Sequence, residues 1–322
     1  MLSYVRSFSI ILLTTIIAGN TLANELPSWN EGKNKDQIID FIESTIDKDS
    51  KNFVPVNDRI AVFDNDGTLW TEYPIYNEIY FLSYQLLHLK EQGVNANMLN
   101  KEPFSSLLHD REETLKNLGL PVAFKALSEL YANQRKSEIN RLAKSFIQTK
   151  HPERNLPFAN LAYQPMLELL DYLKENDYRV YIVSGGSSPF MRAIVPSIYG
   201  IPPENIIGSK VSINATMYNG KVDLIYDNHF ENINNGIQKV VNIEQVIGKM
   251  PVLAVGNSDG DIEMLTYTTS NKGRQLALII DHDDAEREGF GIGGDNILEL
   301  SGKNDEWHII SVKNDFKTLF SE

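Results

Sequence analysis

Residues 60–70 read IAVFDNDGTLW, and this stretch decides the fold. Its first four residues are continuously apolar, which predicts a short strand that is buried on both faces. Asp64 and Asp66 follow two positions apart, and Gly67 and Thr68 come directly behind them. A lone pair of acidic residues is usually a solvated surface feature. Placed at the end of a buried strand and before Gly-Thr, the pair instead indicates a functional site.

Strands alternate with helices along most of the chain. Apolar runs predict further buried strands in YRVYIVSGG, PVLAVGN and QLALIID, with amphipathic helical segments between them. This alternation predicts an α/β fold, a doubly wound parallel sheet with a Rossmann-like core. Asn219-Gly220 lies between two alternating segments and predicts a β-hairpin. Residues 76–156 carry helical patterns, so we expect an inserted α-helical cap domain there and a core formed by 24–75 and 157–322.

Polar side chains follow each predicted strand. Ligands of open parallel sheets bind beyond the carboxyl ends of the strands, so these groups are expected to converge at one edge. In chain order they are Asp64-Asn65-Asp66, Ser184-Gly185-Gly186, residues 256–261 and Asp281-His282-Asp283-Asp284, with Lys239 on the helix before the third strand. Crowded carboxylates repel each other, and a divalent cation such as Mg²⁺ relieves that repulsion. Because hydroxyl, glycine amide and lysine groups suit phosphate oxygens, the pattern predicts metal and phosphate side by side.

Two further groups of residues near the predicted site each have two interpretations. The cluster at 281–284 could bind metal or substrate, although a helix N-terminus is favoured, since acidic residues there interact well with the helix dipole. Glu72, Tyr73 and Tyr76 lie just beyond the first motif, where a cap can contact substrate. Aromatic packing at the hinge of the cap is the slightly favoured alternative.

The order of these motifs resembles that of the haloacid dehalogenase-type phosphatase superfamily. FDNDGTL at 63–69 matches its DxDGT signature, Ser184 in IVSGG matches the second motif, and Lys239 in QKVVNI matches the third. GNSDGDIEML at 256–265 resembles the fourth. The helical insertion resembles the cap of the phosphoserine phosphatase-like subgroup, and the C-terminal segment resembles exported acid-phosphatase-like members. The resemblance covers essentially all of the chain after the first 23 residues.

The resemblance implies a Mg²⁺-dependent phosphomonoesterase that acts on a small phosphorylated metabolite through an aspartyl-phosphate intermediate. Asp64 would be the nucleophile, and Asp66 would be the general acid and base. Lys239 would neutralise negative charge beside Asp64. Contacts to the phosphate or to the surrounding substrate are implied for Ser184, Gly185, Thr68 and Asn65.

Metal ligands are implied by the same resemblance. They would be Asp64, Asp66, Asn257 and Asp261. The sequence departs from the family pattern here, because many members carry GDGxND as the fourth motif, with its first Asp on the metal. Asn257 stands in that place, and Asp261 aligns with the last Asp. Whether Asn257, Asp259 or Asp261 supplies the metal ligand of this loop is therefore left open.

Composition restricts the class of partner. The chain has 322 residues, no cysteine and a formal net charge of −13. The lack of cysteine excludes disulfides and thiolate metal sites. Binding to a nucleic acid backbone requires a basic face, so the acidic chain argues against nucleic acid. The expected partner is a small-molecule phosphate monoester.

The N-terminus has the layout of a secretory signal peptide. Arg6 supplies positive charge, residues 8–18 form an almost unbroken apolar run, and Thr21-Leu22-Ala23 offers small residues at a cleavage point. Residues 1–23 are therefore predicted to be a signal peptide. We expect a periplasmic protein without stable membrane association after cleavage. An uncleaved anchor is the alternative, although the apolar run is shorter than the roughly 20 residues of a spanning helix.

Rival functions remain open on the sequence alone. A phosphotransferase could use the same Asp64 nucleophile. A dehalogenase does not need a second aspartate at the position of Asp66, so this residue argues against that reaction. A non-catalytic exported protein that binds phosphate esters is the third possibility, and Asn257 is the feature that favours it.

Overall fold

A computed structural model describes residues 25–93, 96–109, 113–114, 117–289, 294–304 and 306–320 of the chain. Within these residues there are seven strands and twelve α-helices. The strands are β1 (Ile60–Phe63), β2 (Arg179–Ser187), β3 (Ile206–Tyr218), β4 (Lys221–Asn232), β5 (Leu253–Gly256), β6 (Leu276–Asp281) and β7 (Trp307–Ser311). The helices are α1 (Lys33–Ile46), α2 (Asn77–Glu91), α3 (Ala96–Leu99), α4 (Phe104–His109), α5 (Leu120–Tyr131), α6 (Lys136–Phe146), α7 (Gln164–Glu175), α8 (Ser188–Tyr199), α9 (Ile237–Ile247), α10 (Ile262–Thr269), α11 (Asp295–Ser301) and α12 (Val312–Asp315).

The strands form one sheet in the order β4-β3-β2-β1-β5-β6-β7. All neighbours pair in parallel except β3 and β4, which are antiparallel. The chain fills one side of β1 with β2, β3 and β4 and the other side with β5, β6 and β7. The switch point of this doubly wound sheet therefore lies beside β1, where open α/β sheets bind ligands. The predicted α/β fold class is confirmed.

Strand β1 lies at the centre of the sheet because every one of its four side chains is apolar and fully buried. Ala61 and Phe63 point into the larger hydrophobic core, whereas Ile60 and Val62 point into a second core on the opposite face. This alternation follows from the two-residue period of a strand. Burial on both faces fixes the register of β1, and with it the position of the residues that follow Phe63.

The helical patterns of 76–156 correspond to helices α2–α6 in the described part of the chain. Aromatic side chains join these helices to the core. The Phe81 ring on α2 stacks on Phe190 of α8 at 4.7 Å between centroids, and Phe146 of α6 lies 4.3 Å from Phe158. Such pairs add to the free energy of area burial and orient the packed elements.

The predicted hairpin is present and longer than the sequence suggests. Asn219 and Gly220 both have positive φ angles, 52° and 74°, as a two-residue turn of the primed type requires. The distal part of the hairpin contacts the helices inserted after β1. The backbone N–H of Asn133 donates to the carbonyl of Tyr226 over 2.9 Å, and the N–H of Tyr226 donates to the carbonyl of Gln134, also over 2.9 Å. Two backbone hydrogen bonds therefore join this hairpin of the sheet to the α5–α6 connection.

Two features of the C-terminal part differ from the sequence-based expectations. Strand β7 is absent from those expectations, and it pairs in parallel with β6 at the edge of the sheet. The acidic cluster after β6 is followed by a turn at 285–288 instead of the favoured helix N-terminus. In this turn the Asp284 carboxylate accepts a hydrogen bond from the backbone N–H of Arg287 over 3.0 Å and also binds the Arg287 side chain.

The predicted signal peptide lies outside the described residues. Among the helices that the structure does describe, none combines the length and the apolar character needed to cross a bilayer.

Candidate active site

A cavity of about 770 Å³ opens at the carboxyl ends of the central strands. Five of the residues predicted to form a site lie on its wall, namely Asp64, Asp66, Ser184, Gly185 and Lys239. Three separate segments of the chain supply them, after β1, at the end of β2 and on α9. The expected convergence is thus present for the groups at the ends of β1 and β2, for Lys239 and for the loop after β5, which contributes Ser258 and Gly260, but not for residues 281–284.

Asp64 is held at the mouth of β1 by the sheet itself. Its backbone N–H donates to the carbonyl of Val255 on β5 over 2.9 Å, which extends the parallel pairing by one residue. The side chain is buried, and its Oδ1 lies 2.9 Å from Nζ of Lys239. Burial raises the pKa of the Asp64 carboxyl, the charge of Asp261 raises it further, and Lys239 opposes both effects.

Lys239 lies in the first turn of α9, a helix bounded by Gly236 and Gly248. Its ammonium group is buried, and Nζ lies 2.5 Å from Oδ1 of Asp261. Burial alone would lower the pKa of Lys239, but the carboxylates of Asp261 and Asp64 raise it well above the usual range. The lysine is therefore a fixed positive charge between two carboxylates.

Asp261 organises the loop that follows β5. Its Oδ2 accepts hydrogen bonds from the backbone N–H groups of Asn257 and Ser258 over 3.1 and 3.0 Å, and from the Ser258 hydroxyl over 3.2 Å. Its other oxygen faces Lys239. Both oxygens of this carboxylate therefore have donors within the protein.

Asn257 links this loop to the loop after β1. Its amide oxygen accepts from the Thr68 hydroxyl over 3.0 Å, and its amide nitrogen donates to Glu72 over 3.3 Å. Gly67 lies against the same amide with φ of +74°, and a Cβ atom there would clash with it. Both the backbone conformation and the close approach require glycine at position 67.

Asp66 lines the cavity beside Asp64 and has a different set of contacts. The indole N–H of Trp70 donates to its Oδ1 over 2.8 Å. Removal from bulk water raises the pKa of Asp66, and the hydrogen bond from Trp70 opposes that rise. Trp70 therefore orients the side chain, while burial favours the protonated form of the carboxyl.

The irregular carboxyl-terminal end of β2 is held in place by hydrogen bonds. The Ser184 hydroxyl accepts from the Gly186 N–H over 3.0 Å. The side chain of Asn234 donates to the carbonyls of Ser184 and Ile207 over 3.0 and 2.8 Å. These bonds hold the Ser184-Gly185 segment against the cavity, where its polar groups can face an anion.

Thr68 and Asn65 take no part in the cavity wall. Both side chains are fully buried. Thr68 donates to Asn257, and the amide oxygen of Asn65 accepts from the Tyr199 hydroxyl over 2.9 Å. These two residues therefore stabilise the loops of the site through buried hydrogen bonds and do not face the cavity.

Glu78 is a cavity residue that the sequence patterns do not indicate. It accepts from the Ser187 N–H over 2.8 Å, from the Ser187 hydroxyl and from the Tyr131 hydroxyl over 3.2 Å. Burial raises the pKa of Glu78 to about 7, against the lowering effect of the Ser187 hydrogen bonds. Because Glu78 belongs to α2 and Tyr131 to α5, this carboxyl joins two inserted helices to the end of β2.

The side chains around the cavity offer oxygen ligands for a hard cation such as Mg²⁺. Within the described ranges, no group of three His, Cys, Asp or Glu side chains is arranged to hold a metal ion. Asp261 already accepts donors at both oxygens. The Asp64 and Asp66 carboxylates on the cavity wall and the Asn257 amide oxygen, which lies in the adjoining loop and accepts one hydrogen bond from Thr68, fit the oxygen preference of Mg²⁺.

The cluster at 281–284 forms a separate buried network. His282 Nδ1 lies 2.9 Å from Oε2 of Glu288, whose other oxygen accepts from the Tyr163 hydroxyl. None of these three side chains is part of the cavity wall. Of the three residues just beyond the first motif, Glu72 and Tyr76 line the cavity, whereas Tyr73 does not.

Comparison with solved structures identifies chains of similar fold. A conserved functionally unknown protein from Anaerococcus prevotii DSM 20548 is 18% identical, with 84% of this chain and 90% of that chain covered and a TM-score of 0.53. A protein with unknown function from Bordetella pertussis Tohama I is 14% identical, with coverages of 78% and 97% and a TM-score of 0.48. A phosphoserine phosphohydrolase-like protein from Francisella tularensis is 16% identical, with coverages of 76% and 99% and a TM-score of 0.38.

At 18% identity the similarity to the Anaerococcus prevotii protein concerns the fold alone. A comparison with curated proteins finds no match.

A family model described as haloacid dehalogenase-like hydrolase matches residues 61–266. The matched range begins in β1 and extends past Ser184, Lys239 and Asp261, so it includes all four predicted motifs. This agreement confirms the resemblance to the superfamily and the expectation of an enzyme. The chain belongs to the haloacid dehalogenase-like hydrolase family.

Proposed function

We propose that the protein is a phosphomonoesterase that transfers the phosphoryl group of a small ester to Asp64 and then to water. The observation that carries this proposal is the position of Asp64, with Lys239 Nζ 2.9 Å from its Oδ1 in one cavity with Asp66 and Ser184. A fixed positive charge favours the ionised, nucleophilic form of a buried carboxylate.

In the first step a carboxylate oxygen of Asp64 attacks phosphorus. The phosphorus–oxygen bond to the alcohol breaks, and the leaving oxygen takes the proton of the Asp66 carboxyl. The raised pKa of Asp66 supports this role, because the group must carry a proton when the ester binds. The Ser184 hydroxyl and the Gly185 amide contact the phosphate oxygens.

In the second step a water molecule attacks the phosphorus of the aspartyl phosphate. The Asp66 carboxylate, now without its proton, takes a proton from that water, and inorganic phosphate leaves as Asp64 is restored. Lys239 keeps its contact with Asp64 and Asp261 throughout and balances the negative charge of the site. One pair of aspartates thereby completes both halves of the hydrolysis.

Mg²⁺ is part of the proposal, with Asp64, Asp66 and Asn257 as the residues that would hold it. When bound, the cation supplies positive charge that shields the phosphate from the surrounding carboxylates. Asp261 is assigned a positioning role, because its oxygens are engaged by Lys239 and by the backbone after β5.

The remaining parts of the proposal concern location and domains. We propose that residues 1–23 are removed on export, that the mature protein is periplasmic, and that residues 76–156 act as the cap. The composition of the N-terminus supports the first two points.

The proposal is tested by measuring phosphate release from p-nitrophenyl phosphate with Mg²⁺ and with excess EDTA. We expect turnover that depends on Mg²⁺ and that falls by at least about 10³-fold in Asp64→Asn, the scale expected for loss of a covalent nucleophile. Asp58→Asn is the matched control, because Asp58 lies in an exposed ion pair with Lys249.

Three results separate the rivals. Undiminished turnover in a folded Asp64→Asn variant would refute the assigned nucleophile. Transfer of phosphate to an added alcohol in preference to water would identify a phosphotransferase. Calorimetric binding of the ester with no phosphate release over hours would identify a binding protein.

A further inference from the structure

We infer that the preferred substrate is a phosphate monoester of an apolar, uncharged alcohol that carries no second ionised group. This inference rests on the proposed function and specifies the part of the substrate that the cap contacts. It follows from the division of the cavity into two chemically different walls.

The part of the wall formed by the core is polar, and the part formed by the inserted helix α5 is apolar. The core wall holds the acidic pair, the Ser184-Gly185 segment and Lys239. The apolar wall consists largely of α5, which presents Leu120, Pro121, Ala123, Phe124 and Leu127 to the cavity. A phosphate bound at the core wall therefore directs the alcohol part of the ester toward aliphatic and aromatic side chains, where apolar surface is favourably buried.

The charges of the cavity disfavour a second anion on the substrate. Of the described residues that line it, Lys239 is the one cation, and both Asp64 and Asp261 engage its ammonium group. Glu72 and Glu78 add two carboxyl groups to the wall. A carboxylate or second phosphate in the alcohol part would thus meet apolar or acidic groups instead of a free positive charge, which is a costly arrangement.

The same two glutamates do not favour a cationic alcohol. Glu78 accepts hydrogen bonds from Ser187 and from Tyr131, and Glu72 accepts one from Asn257. An ammonium group would have to compete with these internal donors, and the α5 residues that line the cavity carry no charge to offer it. An uncharged alcohol meets neither obstacle.

The apolar wall is a fixed part of the cavity. The backbone bonds between Tyr226 and the segment after α5 hold this helix against the β3–β4 hairpin. The ring of Phe124 also packs edge-on against Phe230 of β4, with 5.2 Å between centroids. Because α5 is attached at these points, its apolar side chains are held in the cavity wall.

The experiment compares three esters that share one alkyl chain. Hexyl phosphate is neutral beyond the phosphate, 6-(phosphonooxy)hexanoate ends in a carboxylate, and 6-aminohexyl phosphate ends in an ammonium group. All three release a primary alcohol of nearly equal acidity, so differences in kcat/KM report contacts to the far end of the chain. We expect kcat/KM for hexyl phosphate to exceed that for the carboxylate ester at least roughly tenfold and that for the amino ester roughly threefold.

A charge introduced at the mouth of the cavity gives a second readout. Leu120 is 47% exposed and lines the cavity, whereas Val122 on the same helix is 45% exposed and does not. Leu120→Lys should raise kcat/KM for the carboxylate ester relative to hexyl phosphate by about threefold or more, whereas Val122→Lys should leave this ratio within about twofold of the wild-type value.

The inference is overturned if the carboxylate ester or the amino ester is hydrolysed as well as hexyl phosphate, or if the two lysine variants change the ratio equally. Either result leaves the phosphatase activity itself intact, as hydrolysis of p-nitrophenyl phosphate in parallel would show. If that ester is also not hydrolysed, the proposed function fails and this inference fails with it.

Discussion

Lys239 Nζ lies 2.5 Å from Oδ1 of Asp261, and neither side chain is more than 2% exposed. This buried ion pair connects α9 to the loop after β5 and places the ammonium group beside Asp64. The second carboxylate oxygen of Asp261 fixes the backbone of the loop. The pair therefore supports the geometry of the site as well as its charge balance, and it can be tested by substitution.

Asp261→Asn should remove the charge that faces Lys239 while keeping the shape of the side chain. We expect the free energy of unfolding to fall by about 1–3 kcal/mol, because hydrogen bonds to a charged group are lost, and phosphatase activity to fall at least about tenfold. Urea denaturation and phosphate release measure the two effects.

Asp259→Asn is the companion variant in the same loop. Asp259 binds the Asn296 amide and the Ile297 N–H over 2.6 and 2.9 Å and is not part of the cavity wall. Activity within about threefold of wild type is expected. A larger activity loss in Asp259→Asn than in Asp261→Asn would contradict the role assigned to the buried pair.

Gly67→Ala tests the close approach of the two loops. A Cβ at this position would clash with the Asn257 amide, and φ of +74° is unfavourable for alanine. Gly220 has the same φ of +74° with nothing within 4 Å of a Cβ, so Gly220→Ala measures the backbone strain alone. We expect Gly220→Ala to cost about 1 kcal/mol of unfolding free energy and Gly67→Ala about 2 kcal/mol more, measured by urea denaturation. Equal losses in both variants would show that the predicted clash is relieved without cost.

Glu78→Gln tests the buried carboxyl between the inserted helices and β2. The pKa of Glu78 is raised from 4.5 to about 7, so the folded protein binds this proton more tightly than the unfolded chain. The proton therefore stabilises the fold fully below pH 4.5, and that stabilisation is lost as pH rises toward about 7. Over this range the wild-type free energy of unfolding should fall by up to roughly 3 kcal/mol more than that of Glu78→Gln.

Urea denaturation of both proteins between pH 4 and pH 8 makes the comparison. Other titrating groups are common to both chains, so the difference between the two pH profiles isolates Glu78. Parallel profiles would show that Glu78 does not titrate differently in the folded and unfolded states.

The contact between Phe124 and Phe230 can be measured by a double-mutant cycle. Each single change to alanine should lower the free energy of unfolding, and the cycle should give a coupling of about 0.5–1.5 kcal/mol for the edge-on ring pair. In kinetics, Phe230→Ala should raise KM for hexyl phosphate without a matching fall in kcat, because Phe124 loses its support. A coupling near zero would show that the two rings do not stabilise each other, so the hairpin would not support the cavity wall through this contact.

Much of the candidate site could be predicted because its parts lie at strand ends. The apolar run of β1 predicts a central strand, and parallel pairing then brings the groups after β1, β2 and β5 to one edge. Motif order locates Ser184 and Lys239, and both line the cavity with Asp64. The Asn219-Gly220 turn can also be predicted from the sequence, since few residue pairs adopt two positive φ angles.

The residues that sequence patterns miss or misjudge depend on tertiary contacts. Glu78 reads as an ordinary charged position of an amphipathic helix until Ser187 and Tyr131 are seen around it. Thr68 and Asn65 lie within the first motif, but their side chains are buried in the interior. The spacing of a motif does not predict which of its side chains in a loop point to the cavity and which point inward. Strand β7 is only five residues long, WHIIS, and pairs with β6 alone, and so short an apolar run does not by itself indicate a strand.

The attachment of α5 to β4 has a consequence for how substrate enters. The segment after α5 shares main-chain hydrogen bonds with an edge hairpin, whose pairing is irregular between Lys210 and Val211. A displacement of α5 that widens the cavity and preserves those bonds would have to carry β4 and its partner β3 with it, so that the cavity wall and the sheet margin would move as one unit.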